Sequence, residues 1–264
     1  MAERIDDLQC RGYRILQDSE GFCFGMDAVL LANFAAEAVT AGQRTLDLGC
    51  GNGIIPILLA AKTEAAELYG LEIQEKAAAL ARRSVGLNGE TERIRILRGD
   101  LREIRSTGLG GTMDVVTANP PYMRSGIRNP DSAKLIARHE VLCDFHDVAS
   151  AAAYALKSGG KFFLVHRPHR LADVLCELRS SRLEPKRMQM VHPYREREAN
   201  LFVLEAVKDA GRELRVLPPL IVYSAPNVYT AEALRRYRMG GLGGISFKGY
   251  YPNIENMQGF YSVL

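Results

Sequence analysis

Nine residues, Thr45-Leu46-Asp47-Leu48-Gly49-Cys50-Gly51-Asn52-Gly53, restrict the fold more than any other stretch of the chain. A short apolar run breaks into three alternate glycines and restarts at once as a second apolar run, Ile54–Lys62. That is the pattern of a buried strand turning tightly into a helix. The missing side chains let the backbone turn and approach a ligand closely, while the amides opening the helix can face negative charge. A nucleotide-type ligand is implied. The dinucleotide fingerprint requires Gly-x-Gly-x-x-Gly; Gly49, Gly51 and Gly53 give Gly-x-Gly-x-Gly, and Asp47 has no role in that fingerprint. The remaining alternative is a tight turn that binds nothing.

Two more β-branched or aliphatic runs follow, Glu67–Glu72 and 93–98, separated by a helical stretch over 74–88. Ala77, Leu80, Ala81, Val85 and Leu87 form the apolar face of that helix, and Asn88-Gly89 stops it. The alternation predicts an α/β fold with a mostly parallel, doubly wound sheet. It continues with a strand over Met113–Ala118, a helix over 145–156, the turn Lys157-Ser158-Gly159-Gly160 and a strand over 161–166. A helix over 171–182 and strands over 186–191 and 200–207 then give an antiparallel closing pair, the last strand inserting beside the fifth. Pro218-Pro219 and residues 220–223 read as an irregular return across the sheet edge, because paired prolines deny the chain backbone donors.

Acids end the second and third strands. Glu72, followed by Ile73, is placed for a carboxylate to accept ribose hydroxyls, and Asp100, followed by Leu101, for one to accept an adenine amine. After the fourth strand comes Asn119-Pro120-Pro121-Tyr122. Two acceptors, the Asn119 side-chain oxygen and the Pro120 backbone oxygen, would take both N–H protons of one planar amine or amide, and the prolines hold them still. The nitrogen lone pair, otherwise delocalised, becomes available, and Tyr122 offers a face for stacking. A sharp Pro-Pro-aromatic turn without chemistry is the bland alternative.

Composition sets outer limits. The 264 residues, 47% hydrophobic and 25% charged, suit one large α/β core. A net charge of +3 permits an anionic partner without demanding one. Five cysteines without a Cys-x-x-Cys pair argue against a disulfide framework, and an acidic start argues against a signal peptide. A reduced, cytoplasmic, soluble protein is expected. No metal is expected either: His166-Arg167-Pro168-His169 lies at a strand end with no Cys or acid cluster beside it.

The three consecutive strand ends resemble the binding face of a Rossmann-like class I methyltransferase that uses S-adenosylmethionine, with a seven-stranded sheet, helices on both faces and an antiparallel closing strand. The resemblance implies that Asp47 and Gly49, with Gly51 and Gly53, border the methionine part of the cofactor. Glu72 with Ile73 would hold the ribose, Asp100 with Leu101 would border the adenine, and Asn119 would sit at both cofactor and acceptor. More narrowly, the chain resembles the bacterial tRNA (adenine-N6)-methyltransferases that modify valine tRNA beside the anticodon, over residues 8–239. The segment Gln17-Asp18-Ser19-Glu20-Gly21-Phe22-Cys23-Phe24-Gly25-Met26-Asp27-Ala28-Val29-Leu30-Leu31 carries this likeness, with Phe24, Gly25 and Asp27 lying against the cofactor. Arg138-His139-Glu140, Pro168-His169-Arg170-Leu171 and Pro218-Pro219-Leu220-Ile221-Val222-Tyr223 also carry it.

The expected organisation is a methyltransferase domain over 1–239, with a short N-terminal segment covering the cofactor, and a Gly-rich, aromatic tail over 240–264. The expected partner is tRNA, whose looped adenine is cheaper to expose than one in a duplex. Arg124, Arg128, Arg138, Arg195 and Arg197 are the candidate phosphate contacts. The rivals are a protein glutamine-N5 methyltransferase of release-factor type, whose amide offers the same two N–H groups, and an RNA-binding module with a vestigial cofactor fold.

Overall fold

The computed structural model describes residues 3–18, 24–120 and 143–237. The chain opens with a hairpin of β1 (Glu3–Asp7) and β2 (Arg14–Asp18), outside the main sheet, followed by helix α1 (Met26–Ala36). Every residue of α1 from Ala28 to Ala36 is buried. A helix packed on all sides shows no polar stripe, so its sequence carries no amphipathic period to find it by.

From β3 the expected alternation holds: β3 (Arg44–Leu48), α2 (Ile54–Lys62), β4 (Glu67–Glu72), α3 (Glu75–Leu87), β5 (Ile94–Arg98) and β6 (Met113–Ala118). Then come α4 (Phe145–Ala155), β7 (Leu156–His166), α5 (Leu171–Ser180), β8 (Leu183–His192) and β9 (Leu201–Lys208). Strands β3 to β9 are the seven expected ones, in the order β8-β9-β7-β6-β3-β4-β5. Strand β9 runs antiparallel between β7 and β8, and the other central pairings are parallel. The predicted Lys157-to-Gly160 turn lies within β7 as an irregularity, where the pairing shifts from Met113 with Leu156 to Val115 with Lys161. The edge beyond β8 is more regular than the prolines suggested. Short strands β10 (Arg215–Val216) and β11 (Leu220–Ile221), either side of Pro218-Pro219, both pair parallel to β8.

Two apolar layers cover the sheet. Helices α1, α2 and α3 pack with Leu68, Ile96, Val115, Phe163 and Val203 on one face. Helices α4 and α5, with a 3-10 helix over Leu101–Thr107, pack with Leu46, Leu71, Val116, Phe162 and Leu204 on the other. One glycine joins this packing to the nine-residue motif. A Cβ at Gly70 of β4 would lie 2.6 Å from Cys50 Sγ and 2.9 Å from Ile96 Cδ1, because the Cys50 side chain is folded under the turn. Gly70→Ala is expected to destabilise the protein by about 1–3 kcal/mol through overpacking. The reading is a lower urea midpoint at an unchanged slope; an unshifted midpoint would contradict this packing.

Candidate active site

Strand order reverses at β3, which has β4 on one side and β6 on the other. In open parallel sheets a crevice forms outside the carboxyl ends of the strands at such a switch point. Register places the expected residues around it. Leu48 pairs with both Leu71 and Ala118, so Gly49, Glu72 and Asn119 occupy the next row.

The glycine turn is built for conformation and for closeness. Gly49, Gly51 and Gly53 have φ of +71°, +54° and +86°, a region that strains residues with a Cβ. Gly49 and Cys50 both donate N–H to the Leu71 oxygen, at 2.8 and 3.1 Å, which ties the turn to the end of β4. A Cβ at Gly49 or Gly51 would meet nothing within 4 Å, whereas at Gly53 it would lie 3.1 Å from Ala81 Cβ of α3. Open space lies over the first two glycines, and close helix packing lies under the third.

Glu72 is buried and wired into the same turn. Its Oε2 accepts the Gly51 N–H at 2.8 Å and its Oε1 accepts the Gln74 N–H at 2.8 Å. Each carboxylate oxygen keeps further lone-pair capacity for a ligand hydroxyl. Asp47 lies opposite Thr117 in the pairing of β3 with β6, and Thr117 Oγ1 donates to Asp47 Oδ1 at 2.6 Å. Both are buried, with Leu46, Leu48, Val116 and Ala118 as their apolar neighbours along the two strands. Burial pushes the Asp47 carboxyl up to about 8; the Thr117 bond opposes the rise and the charge of Glu72 adds to it.

This has a pH consequence. Folded Asp47 holds a proton that the unfolded chain releases near the ordinary aspartate value of about 3.9. Its contribution to stability is complete below that value and is lost as pH rises through about 8. The urea midpoint of the ligand-free protein should therefore fall between pH 5 and pH 9, and Asp47→Asn should flatten the slope. An Asp47→Asn variant with the parent's full slope would contradict the assignment.

Asp100 is differently placed. It caps the 3-10 helix by accepting the Arg102 N–H at 2.9 Å, and both its oxygens accept from the Arg102 guanidinium, at 3.1 and 2.9 Å from Nε. The Arg102 hydrogen bond holds this carboxyl below its usual range. Leu101, the next residue, packs on the α4 side of the sheet. Cys143, just before α4, is close enough to Asp147, Asp144 and Asp100 for their charges to add to burial in pushing its thiol up to about 12. On the other flank, Phe24 donates its N–H to Gln17 Oε1 at 3.1 Å. Gly25 precedes α1 and leaves room for Asp27, whose Oδ1 accepts the Ala28 N–H at 2.9 Å. A Cβ at Gly25 would lie 2.8 Å from that oxygen.

Asn119 and Pro120 leave β6 half-buried at the crevice, with Ile73 likewise half-buried beside Glu72. Pro121, Tyr122, Arg124, Arg128, Arg138, His139 and Glu140 lie outside the described residues, as does the tail over 240–264. Arg195 and Arg197 are exposed in the loop from β8 to β9, on the same edge as Asn119. His166 is buried between Phe145 and Phe202, with ring centroids 5.9 and 6.2 Å away. It accepts the Arg167 N–H through Nδ1, and burial pushes it down to about 4. Among the described residues no three His, Cys, Asp or Glu side chains are grouped to hold a metal, and no helix is long and apolar enough to cross a membrane.

Two residues of the crevice stand outside the expected ligand contacts. Thr117 shows only as a lone hydroxyl in the apolar run of β6. Asn52 sits among the glycines; its Nδ2 is buried without a hydrogen-bond partner. An unpaired buried donor costs about 1–3 kcal/mol, and an acceptor group on a ligand would satisfy it. The orphaned amide, the open space over Gly49 and Gly51 and the fixed carboxylate of Glu72 together fit an amino-acid-bearing nucleoside.

Residues 25–181, more than half of the chain, match the family model described as methyltransferase small domain. The chain belongs to the methyltransferase small domain family. Its relatives among curated proteins include several named tRNA1(Val) (adenine(37)-N6)-methyltransferase. The Porphyromonas gingivalis protein is 30% identical over 217 residues, covering 80% of this chain and 85% of the relative. The Tolumonas auensis protein is 30% identical over 154 residues, covering 58% and 62%. These bear out the resemblance read from the sequence. Among solved structures, a predicted O-methyltransferase from Agrobacterium tumefaciens is 26% identical, with a TM-score of 0.67 over 83% of this chain and all of that one. A geranyl diphosphate methyltransferase in complex with SAM shares the fold at 15% identity and a TM-score of 0.53, over 68% of this chain and 85% of that one. The class I methyltransferase fold expected from the strand ends is the fold observed.

Proposed function

We propose that the protein methylates the exocyclic amino group of an adenine in tRNA, the anticodon-loop adenosine of valine tRNA, using S-adenosylmethionine. The observation that carries this is the row Asn119, Gly49 and Glu72, in which Asn119 lies one strand from the glycine turn. Bound S-adenosylmethionine supplies a methyl group already activated on a sulfonium for in-line displacement. The protein's task is then to position the acceptor and free its lone pair.

In this reading Glu72, held by Gly51 and Gln74, accepts the ribose hydroxyls with Ile73 beside it. Asp47, Gly49, Gly51 and Gly53 border the methionine part, and Asn52 meets its carboxylate. A cationic ammonium group nearby would favour the charged form of Asp47. Asp100 and Leu101 border the adenine of the cofactor, with Arg102 yielding one of its bonds, and Phe24, Gly25 and Asp27 close the other flank. The substrate amine donates one N–H to Asn119 Oδ1 and the other to the Pro120 oxygen. This localises the lone pair on nitrogen, and Pro121 keeps both acceptors fixed. Tyr122 supplies the stacking face, worth about 1–3 kcal/mol per base. No base is needed before transfer, and the proton leaves the methylated nitrogen for solvent.

Relatives named for tRNA support adenine over a protein glutamine, and so do the exposed Arg195 and Arg197 on the crevice edge. The test is an unmodified valine tRNA transcript against one in which guanine replaces the adenine that follows the anticodon. Label from the methyl donor should enter the first and not the second; equal labelling would overturn the assignment of the acceptor.

A further inference from the structure

Gln17 is a polar side chain only 2% exposed, on a hairpin that takes no part in the main sheet. Its two amide ends serve two separate parts of the chain. Oε1 accepts the Phe24 N–H at 3.1 Å, and Nε2 donates to the carboxylate of Asp6 on β1.

The hairpin that carries Gln17 is braced along α3. Leu16 donates its N–H to Ser84 Oγ at 3.0 Å. Asn88 accepts the Arg14 N–H at 2.7 Å and donates to the Arg14 oxygen at 2.6 Å. Arg83 grips Glu3 through two nitrogens at 2.8 Å, and Lys76 pairs with the buried carboxylate of Asp18. Helix α3 begins at Glu75, directly after Glu72 and the Gln74 amide that holds it. One frame therefore holds both the Glu72 carboxylate and, through Gln17, the Phe24 backbone.

We infer that Gln17 is a positioning residue of the cofactor site, a strut that holds the corner from Phe24 to Asp27 in place against the α3 frame. This rests on the proposed placement of Phe24 against the cofactor. Gln17 touches no reacting atom, so its removal acts on cofactor affinity and leaves the chemical step alone. Any role confined to folding would move stability without separating these two quantities.

The test is calorimetry with S-adenosylhomocysteine on the full chain and on Gln17→Met, Phe24→Ala and the double variant, with kcat measured separately by methyl transfer. Methionine keeps the length and burial of glutamine without its hydrogen bonds. Gln17→Met should weaken binding about tenfold and raise KM for S-adenosylmethionine in step, with kcat within twofold, and it should speed hydrogen exchange at the Phe24 amide. The double variant should lose clearly less than the two single losses added together, because much of what Gln17 positions is gone once the ring is removed. Additive losses would overturn the inference, as would a fall in kcat at unchanged affinity. Affinity is read with no acceptor present, so failure of the strut remains distinct from failure of the adenine assignment.

Discussion

Asn119→Ala should lower turnover about a thousandfold and leave the affinity for S-adenosylhomocysteine within a few-fold of the parent. The amine of adenine is a poor nucleophile because its lone pair belongs to the ring. In the proposed role the Asn119 oxygen acts on that nitrogen as it leaves planarity, so its contribution would belong to the transition state and appear in kcat. Removing one positioned polar group from such a site costs about 10²–10³ in rate, and the upper end applies because two acceptors work on one nitrogen. Affinity survives because the glycine turn is held by backbone bonds to Leu71 and by the Glu72 carboxylate, none of which involves the Asn119 side chain. Parallel loss of turnover and affinity would contradict the role.

Glu72→Gln should do the reverse. The carboxylate accepts a backbone N–H on each oxygen, from Gly51 and from Gln74. An amide of the same shape must turn its NH2 group toward one of those donors. The mismatch leaves a buried N–H unpaired, at about 1–3 kcal/mol, and removes the charged acceptor proposed for the ribose. Affinity for S-adenosylhomocysteine should fall about 5- to 140-fold, at 1.4 kcal/mol per tenfold, while kcat at saturating cofactor falls far less than in Asn119→Ala. Calorimetry and saturation kinetics on the two variants should therefore cross. A Glu72→Gln enzyme with parental affinity would remove Glu72 from the cofactor site.

What could be read from the sequence was what local chemistry marks. Strands β4 and β6 and helix α2 run between the residues expected, because glycines, acids or prolines bound them on the chain itself. The gathering of Asp47, Glu72 and Asn119 near one edge of the sheet was legible for the same reason, since a parallel sheet brings successive strand ends together. Helix α1 was not legible, being apolar on every side, and neither were β10 and β11, whose pairing depends on the β8 edge and not on their own composition. The Thr117 bond to Asp47 joins residues 70 apart and follows from strand order alone. The engagement of Asp100 by Arg102 is a choice of side-chain conformation that spacing does not encode. Gln17 lay inside the quoted opening segment, but its link to Phe24 and its burial beneath the hairpin are tertiary facts.

The most direct measurement is transfer of radiolabelled methyl from S-adenosylmethionine to total tRNA from a strain lacking this gene, with a release-factor protein assayed in parallel and the RNA digested to nucleosides. Label recovered as N6-methyladenosine, with none in the protein, is the result that the row of Asn119, Gly49 and Glu72 beside relatives named for tRNA predicts. Label in the protein alone would contradict it, move the acceptor to a glutamine amide, and leave Arg195 and Arg197 as ordinary surface charge.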